Sequence, residues 1–266
     1  HGLGHEPQTR TSQTRRESSD WFRALGDFSD SVYWLGATRS PPPRYYHFGP
    51  GMTGRIQYDG TGVAEALRAS FVADTPVVQK VSEWLQRSCD CELSFLNTDR
   101  QLIAGRELYE FNLISRKSGT RVSLRDVGEG IAQSLPIVAL CHQAAAGILG
   151  ENAILAMEQP ELHLHPRAAV ELADEIVACV ASGSSATHLI ETHSESVLLS
   201  VQTAIVKKQI FPEQVIVYWV SQADGNSSLQ KISFDDEGYP TGAWPSDVFR
   251  ETLRQARYLS SLRTGA

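Results

Sequence analysis

The sequence predicts an α/β fold built on a parallel sheet, with flanking helices and a small mixed part on the N-terminal side. Two observations lead there. Between residues 124 and 222, apolar runs of strand length alternate with amphipathic runs of helix length, the pattern of βαβ units. Two of the apolar runs, Asn152–Met157 and Ala186–Ile190, end directly in polar clusters, Glu158-Gln159-Pro160 and Glu191-Thr192-His193. Parallel sheets bind ligands beyond the carboxyl ends of their strands, so both clusters stand where a site belongs.

The elements follow in order. Residues 1 to about 20 are polar without periodicity, and 1–30 is expected to be a flexible or linker segment. Residues 31–62 hold Pro41-Pro42-Pro43 and five Gly between Gly49 and Gly62, which favours loops over a long helix. Val63 to Arg87 has helical spacing, through Ala66, Ala69, Val72, Val77, Val78, Val81, Trp84 and Leu85. Residues 92–124 alternate enough for two or three strands, with a hairpin turn at Ser118-Gly119. Gly128 to Gly150 is a buried helix entered through glycines. Arg167–Ser182 and Glu195–Gln209 are helices, and Gln214–Val220 is a further strand of the parallel series. Leu229–Phe234 pairs with that strand through Asp224-Gly225-Asn226. Pro245–Leu262 is a helix with Phe249, Leu253, Ala256 and Leu259 on one face. No internal repeat is present. The expected divisions are 1–30, a helical and β insert at 31–123, the main lobe at 124–222, and a small C-terminal extension at 223–266.

Composition bounds the function. The chain has 266 residues, 41% hydrophobic and 21% charged, enough for one large domain or two small ones. Acidic residues number 31 against 24 basic, a net charge of −7. That argues against a generally basic nucleic-acid coat but leaves room for a local groove. Arg10–Arg16 and Arg39–Arg44 are candidate phosphate contacts, a solvated face being the plainer reading. Cys89, Cys91, Cys141 and Cys179 form no CxxC pair and no zinc-ribbon spacing. Cys141 and Cys179 lie in apolar helical stretches and read as buried free thiols. No apolar run reaches the roughly 18 residues that span a bilayer. Ile131–Leu149 is broken by Gln133, His142 and Gln143. The expectation is a cytoplasmic protein with no membrane contact and no signal peptide.

Three clusters carry chemistry. In Leu124–Pro136, Gly128 and Gly130 open a helix and leave N–H groups at its positive end, where an anion is favoured. In Ile154–Pro166 a hydrophobic strand ends in Glu158, the arrangement by which many phosphotransfer enzymes hold Mg2+, and the next residue, Gln159, stands where attacking water is polarised. In Leu189–Ser194, His193 follows a strand, where a neutral imidazole can donate to a γ-phosphate oxygen.

Taken together, their order and separations resemble the C-terminal half of an ABC-type ATPase head. The similarity is to the AAA-type ABC ATPases of the RecF, SMC and OLD group. The strings Glu-Gln-Pro-Glu-Leu-His-Leu-His-Pro (158–166) and Glu-Thr-His-Ser-Glu (191–195) carry it most strongly. Tyr33-Trp-Leu-Gly-Ala-Thr-Arg-Ser-Pro-Pro (33–42), Phe234–Gly238 and Trp244-Pro245 add to it, so the resemblance covers about 31–262. It implies that Glu158 is the Mg2+-coordinating Walker B acid and His193 the switch histidine. It implies that residues 161–166, with Leu162, His163, Leu164 and His165, form the D-loop at a dimer seam. Gly128, Glu129 and Gly130 would be the signature loop, capping the γ-phosphate of ATP on the opposite subunit. ATP and Mg2+ are the implied cofactors. The implied partners are a second copy or a related head through the nucleotide interface, a nuclease and DNA, in DNA repair or anti-phage defence.

Two departures bear on activity. Gln159 stands where most such ATPases have a catalytic Glu. Gln cannot act as a base, although it can orient water, so turnover is expected to be slow. The P-loop pattern GxxxxGK[ST] is absent: the Lys residues are 80, 117, 207, 208 and 231, and none follows Gly. A fragment of a longer ATPase is expected, the alternative being a non-catalytic regulatory or partner-binding subunit with a degenerate head. His163 and His165 with His193 or Glu158 are also metal-ligand types, but the D-loop accounts for the run better. Asp235-Asp236-Glu237 reads as a solvated turn.

Overall fold

The computed structural model describes residues 25–47, 54–103 and 106–242. The expected segment 1–20, Arg10–Arg16, Trp244-Pro245 and the helix Pro245–Leu262 lie outside the described residues. The chain divides into two compact units, His1–His163 with Gly183–Glu191, and Leu164–Ser182 with Thr192–Ala266. Residues 25–31 are helical (α1). There follow β1 (Val32–Leu35), β2 (Tyr46–His47), α2 (Val63–Val72), α3 (Val77–Cys89), β3 (Cys91–Ile103), β4 (Arg106–Ser115), β5 (Arg121–Ser123) and α4 (Glu129–Ala145). Then come β6 (Ile154–Glu158), α5 (Pro166–Ala181), β7 (Thr187–Glu191), α6 (Glu195–Val206), β8 (Val217–Ala223), β9 (Asn226–Phe234) and β10 (Pro240–Thr241).

The first unit holds a parallel sheet in the order β1-β6-β7. Its ladders set Leu35 opposite Met157 and Glu158 opposite Glu191. Leu35, Leu155 and Met157 are buried on one face, so Ile154, Ala156 and Glu158 take the other. A second sheet, β2-β4-β3 with β5 on β4, is antiparallel. Phe95 faces Phe111 across it, the rings edge-on at 4.7 Å, a geometry that matches ring quadrupoles. The expected turn at Ser118-Gly119 joins β4 to β5, with Gly119 N donating to Ser115 O at 2.8 Å. The expected helix entered through glycines is α4, with Gly128 at its N-cap and an unbroken buried run from Gln133 to Ala144.

In the second unit α5 and α6 pack around Val177, Ala204, Ile205, Ile210 and Phe234. β8 and β9 form the expected hairpin. Its two turn residues, Asp224 and Gly225, have φ of 50° and 77°, the left-handed pair that matches strand twist. Asp235, Asp236 and Glu237 are exposed in a turn, as read. Asp235 Oδ1 accepts from Glu237 N and Tyr239 N at 3.0 and 2.8 Å. Cys141 and Cys179 are buried, and neither forms a disulfide among the described residues.

Three expectations are corrected. The helical stretch from Val63 is two helices: Pro76 caps α3, and the residue before a proline leaves the helical region. Residues 31–62 were expected as loops, yet Val32–Leu35 is a strand beside β6; four residues between turns are too few for periodicity to register. Gln214–Val220 was expected in the parallel sheet. Instead β8 belongs to the separate antiparallel sheet β10-β9-β8, because its two-residue turn returns the chain directly onto it.

Gly62, the N-cap of α2, has φ 86°, and a Cβ there would lie 2.5 Å from Arg55 O. Gly62→Ala is expected to cost about 1–3 kcal/mol by urea unfolding. Gly119→Ala, in open space at φ 67°, should cost less. Equal losses would show that the backbone at Arg55 yields without penalty.

Candidate functional site

Glu158 ends the central strand of the parallel sheet, half-buried. Its Oε1 accepts from Trp34 Nε1 at 3.2 Å and its Oε2 from Ala37 N at 3.3 Å. Both donors are neutral and both contacts are long. No ion pair to Glu158 forms among the described residues. The carboxylate is therefore oriented but not neutralised. Its hard oxygens, with unused lone pairs, fit Mg2+ and suit a thiophilic metal poorly.

Gln159 extends the strand by one bond, its N donating to Glu191 O at 2.7 Å, and then turns the chain at φ 41°. Its carbonyl accepts from Leu162 N at 3.0 Å. His163 repeats the left-handed conformation at φ 65°. A non-glycine residue in that region costs roughly 1–2 kcal/mol, and here two fall within five residues directly after the strand. Such strain persists where surrounding bonds fix it.

Arg39 corrects the expectation of a solvated face at 39–44, for it is only 1% exposed. Its Nη1 donates to Gly36 O at 3.0 Å and to Glu158 O at 3.5 Å, and its Nη2 to Gln159 O at 3.4 Å. Gln133 of α4 completes the set. Its Oε1 accepts from Arg39 N and Nε at 3.1 and 3.2 Å, and its Nε2 donates to Arg39 O at 2.9 Å. Burial pulls the Arg39 pKa down, and the Glu161 carboxylate opposes that pull. Arg44 is exposed and pairs with Asp126 at 2.9 Å. Trp34 and Gln133 were not singled out as site residues from sequence, and Arg39 was marked only within Arg39–Arg44 as a candidate phosphate contact. The 33–42 string was the only signal that touched two of them.

The α4 N-terminus is open. Gly128 caps it without a side-chain bond, its carbonyl accepting from Ile131 N and Ala132 N at 3.1 and 3.4 Å. Gly128 and Glu129 are exposed and Gly130 half-buried; the Gly130 carbonyl accepts from Ser134 Oγ at 2.8 Å. The acidic Glu129 in the first turn partly satisfies the helix dipole itself.

Residues 160–163 form a turn, not a strand, so His163 and His165 share no strand face. His165 is the N-cap of α5, its Nδ1 accepting from Arg167 N at 3.4 Å. That use as a helix cap weighs against the metal-ligand alternative. His193 is exposed, two residues past β7, just before the α6 N-cap Ser194. Of the sequence-nominated residues, Gly128, Glu129, Gly130, Glu158, Gln159, Leu162 and His163 lie in the first unit. Leu164, His165 and His193 lie in the second.

The family model for the AAA ATPase domain matches residues 77–198. No curated protein matches the chain. Among solved structures, the chain is similar to the Smc head domain with an extended coiled coil bound to the C-terminal domain of ScpA, from Pyrococcus furiosus. Identity is 12%, over 77% of this chain and 42% of that chain, with a TM-score of 0.42. It is also similar to the Smc head domain with a coiled coil and joint from Pyrococcus yayanosii, at 12% identity over 68% of this chain and 31% of that chain, TM-score 0.42. A third is the SmcHead bound to the C-winged helix domain of ScpA, at 13% identity over 65% of this chain and 47% of that chain, TM-score 0.43. The chain spans less than half the length of each. The matched stretch 77–198 contains all ten residues singled out in the sequence. The AAA ATPase domain match supports an ATPase-type part in this stretch. Among the described residues, no helix is long and apolar enough to cross a membrane.

His188 on β7 gives this unit a pH dependence. Burial holds its pKa below the ordinary value, the Ala186 backbone opposing in part, and its Nε2 is buried without a hydrogen-bond partner. The unfolded chain therefore binds the proton more readily. Stability is expected to fall as pH drops through about 6.5, the ordinary His value. His188→Leu should flatten the slope of unfolding free energy between pH 7.5 and 5.5. An unchanged slope would assign the pH dependence to other groups.

Proposed function

We propose that this chain supplies the Walker B, signature, D-loop and switch parts of an ATP-hydrolysing ABC-type head that closes around nucleotide as a dimer. The observation that carries the reading is the Glu158 carboxylate. It stands at the carboxyl end of the central parallel strand, inside the stretch that matches the AAA ATPase domain, with two neutral donors and, among the described residues, no ion pair. Bound Mg2+·ATP would supply a charge-neutralised γ-phosphate open to in-line attack.

In this reading Glu158 holds the metal, and Gln159 orients the attacking water by hydrogen bonds without taking its proton. His193 donates to a γ-phosphate oxygen. The backbone N–H groups of Gly128, Glu129 and Gly130 cap the γ-phosphate held by the opposite subunit. Leu162, His163, Leu164 and His165 line the seam. The β- and γ-phosphates need a P-loop, which this sequence lacks, so the cradle comes from residues outside it or from another chain. The seam admits a second copy or a related head. A nuclease partner and DNA, in repair or anti-phage defence, rest on the family resemblance. One residue favours a second reading: with Gln159 in place of a base, the head would serve as a regulatory or partner-binding subunit without turnover.

ATP turnover by the full-length protein separates the two. Glu158→Gln is expected to lower kcat/KM by more than about 10-fold, the loss seen even when outer-shell support of a metal ligand is removed. Unchanged turnover would remove Glu158 from the site. Gln159→Glu is expected to raise kcat by about 10-fold or more if water activation limits the rate, since a general base is worth about 100-fold or more. No change would place the limiting step elsewhere.

A further inference from the structure

Arg39 and Gln133, two of the buried polar side chains of the first unit, bond to each other. The guanidinium of Arg39 reaches three carbonyls, those of Gly36, Glu158 and Gln159. Its own backbone N–H and C=O are both held by one carboxamide, that of Gln133. Gln133 lies four residues into α4 from Glu129, one turn behind the open helix N-terminus. Gly36 in turn precedes Ala37, whose N–H orients Glu158 Oε2, and follows Trp34 by two residues, whose indole orients Oε1. One residue thus braces the main chain that carries Glu158 and Gln159, and the loop that aims the Glu158 carboxylate. The same residue is clasped to the helix that presents Gly128, Glu129 and Gly130.

We propose that Arg39 is a positioning residue that couples the α4 N-terminus to the Glu158–Gln159 pair, so that closure of the glycine loop on a phosphate resets the metal-holding and water-orienting groups. This deepens the ATPase reading and rests on it. The physical reason is burial. A guanidinium at 1% exposure cannot surrender its carbonyl acceptors to water one at a time, so a satisfied network of this kind moves as a unit. Lys keeps the charge but loses the planar fork, and cannot serve three carbonyls and Gln133 together.

Two variants test the coupling. Arg39→Lys removes the fork. Gln133→Met leaves the guanidinium intact and removes only the clasp, so it remains informative if Arg39→Lys does not fold. The first readout is the 1H–15N spectrum of this chain, with the indole signal of Trp34, one of five Trp, assigned through Trp34→Phe. In Gln133→Met the Trp34 indole and Ala37 signals are expected to shift together with those of Gly128 and Gly130, although the hydrogen bonds of Gln133 go to Arg39 and not to Trp34 or Glu158. Shifts confined to Arg39 and the neighbours of residue 133 would overturn the proposal. The second readout is ATP turnover by the full-length protein. Here kcat is expected to fall about 10-fold with KM within about 3-fold, the mark of geometry lost in the transition state and not in binding. A raised KM with unchanged kcat, or no change in either in a folded variant, would also overturn it. If the unsubstituted protein shows no turnover, the ATPase reading fails, while the spectra still decide whether the two ends of the network are joined.

Discussion

A charged group sealed from water must find its acceptors inside the protein, and Arg39 organises the first unit around that requirement. Its partners come from the loop after β1, the end of β6 and the first turns of α4. Its hydrogen-bond acceptors are carbonyls and a carboxamide, not carboxylates, so the nearby Glu158 has no ion pair among the described residues. Had Arg39 paired with Glu158 directly, the carboxylate would be a structural ion and a poor metal ligand. The geometry separates the two charges by giving Arg39 the main chain of Glu158 and leaving the side chain to Trp34 and Ala37.

The parallel ladder supplies the rest of the rigidity. β6 lies between β1 and β7, and the bond from Gln159 N to Glu191 O carries the pairing one residue past the strand. The chain then breaks into a left-handed turn at Gln159 and again at His163. Rigid strand followed by strained turn is how a fold holds side chains in a fixed place at a sheet edge while leaving the loop free to meet a partner.

Much of this was legible in the sequence. The runs ending at Glu158 and Glu191, the glycine-entered helix and the Asp224-Gly225 hairpin have strong local signals, in apolar run length, polar termination and turn chemistry. What stayed hidden depends on distant partners. Val32–Leu35 is too short to announce itself, and it is a strand because β6 lies beside it. An arginine ordinarily marks a surface, and only the tertiary arrangement brings Gln133, 94 residues away, to satisfy Arg39. Gln133 interrupted an apolar run and served only to exclude a membrane span; its polarity in fact marked a buried clasp. The family match begins at residue 77, so Trp34 and Arg39 lie outside it although they frame the carboxylate within it.

The central claim is that the carboxylate at the end of β6 is a metal-holding acid. The most direct measurement is the structure of the full-length protein crystallised with Mg2+ and a non-hydrolysable ATP analogue. The account expects Mg2+ on a Glu158 oxygen at about 2.1 Å, or one bridging water away, with the Trp34 indole displaced from Oε1. Nucleotide-bound metal held elsewhere, with Glu158 still on Trp34 and Ala37, would contradict it.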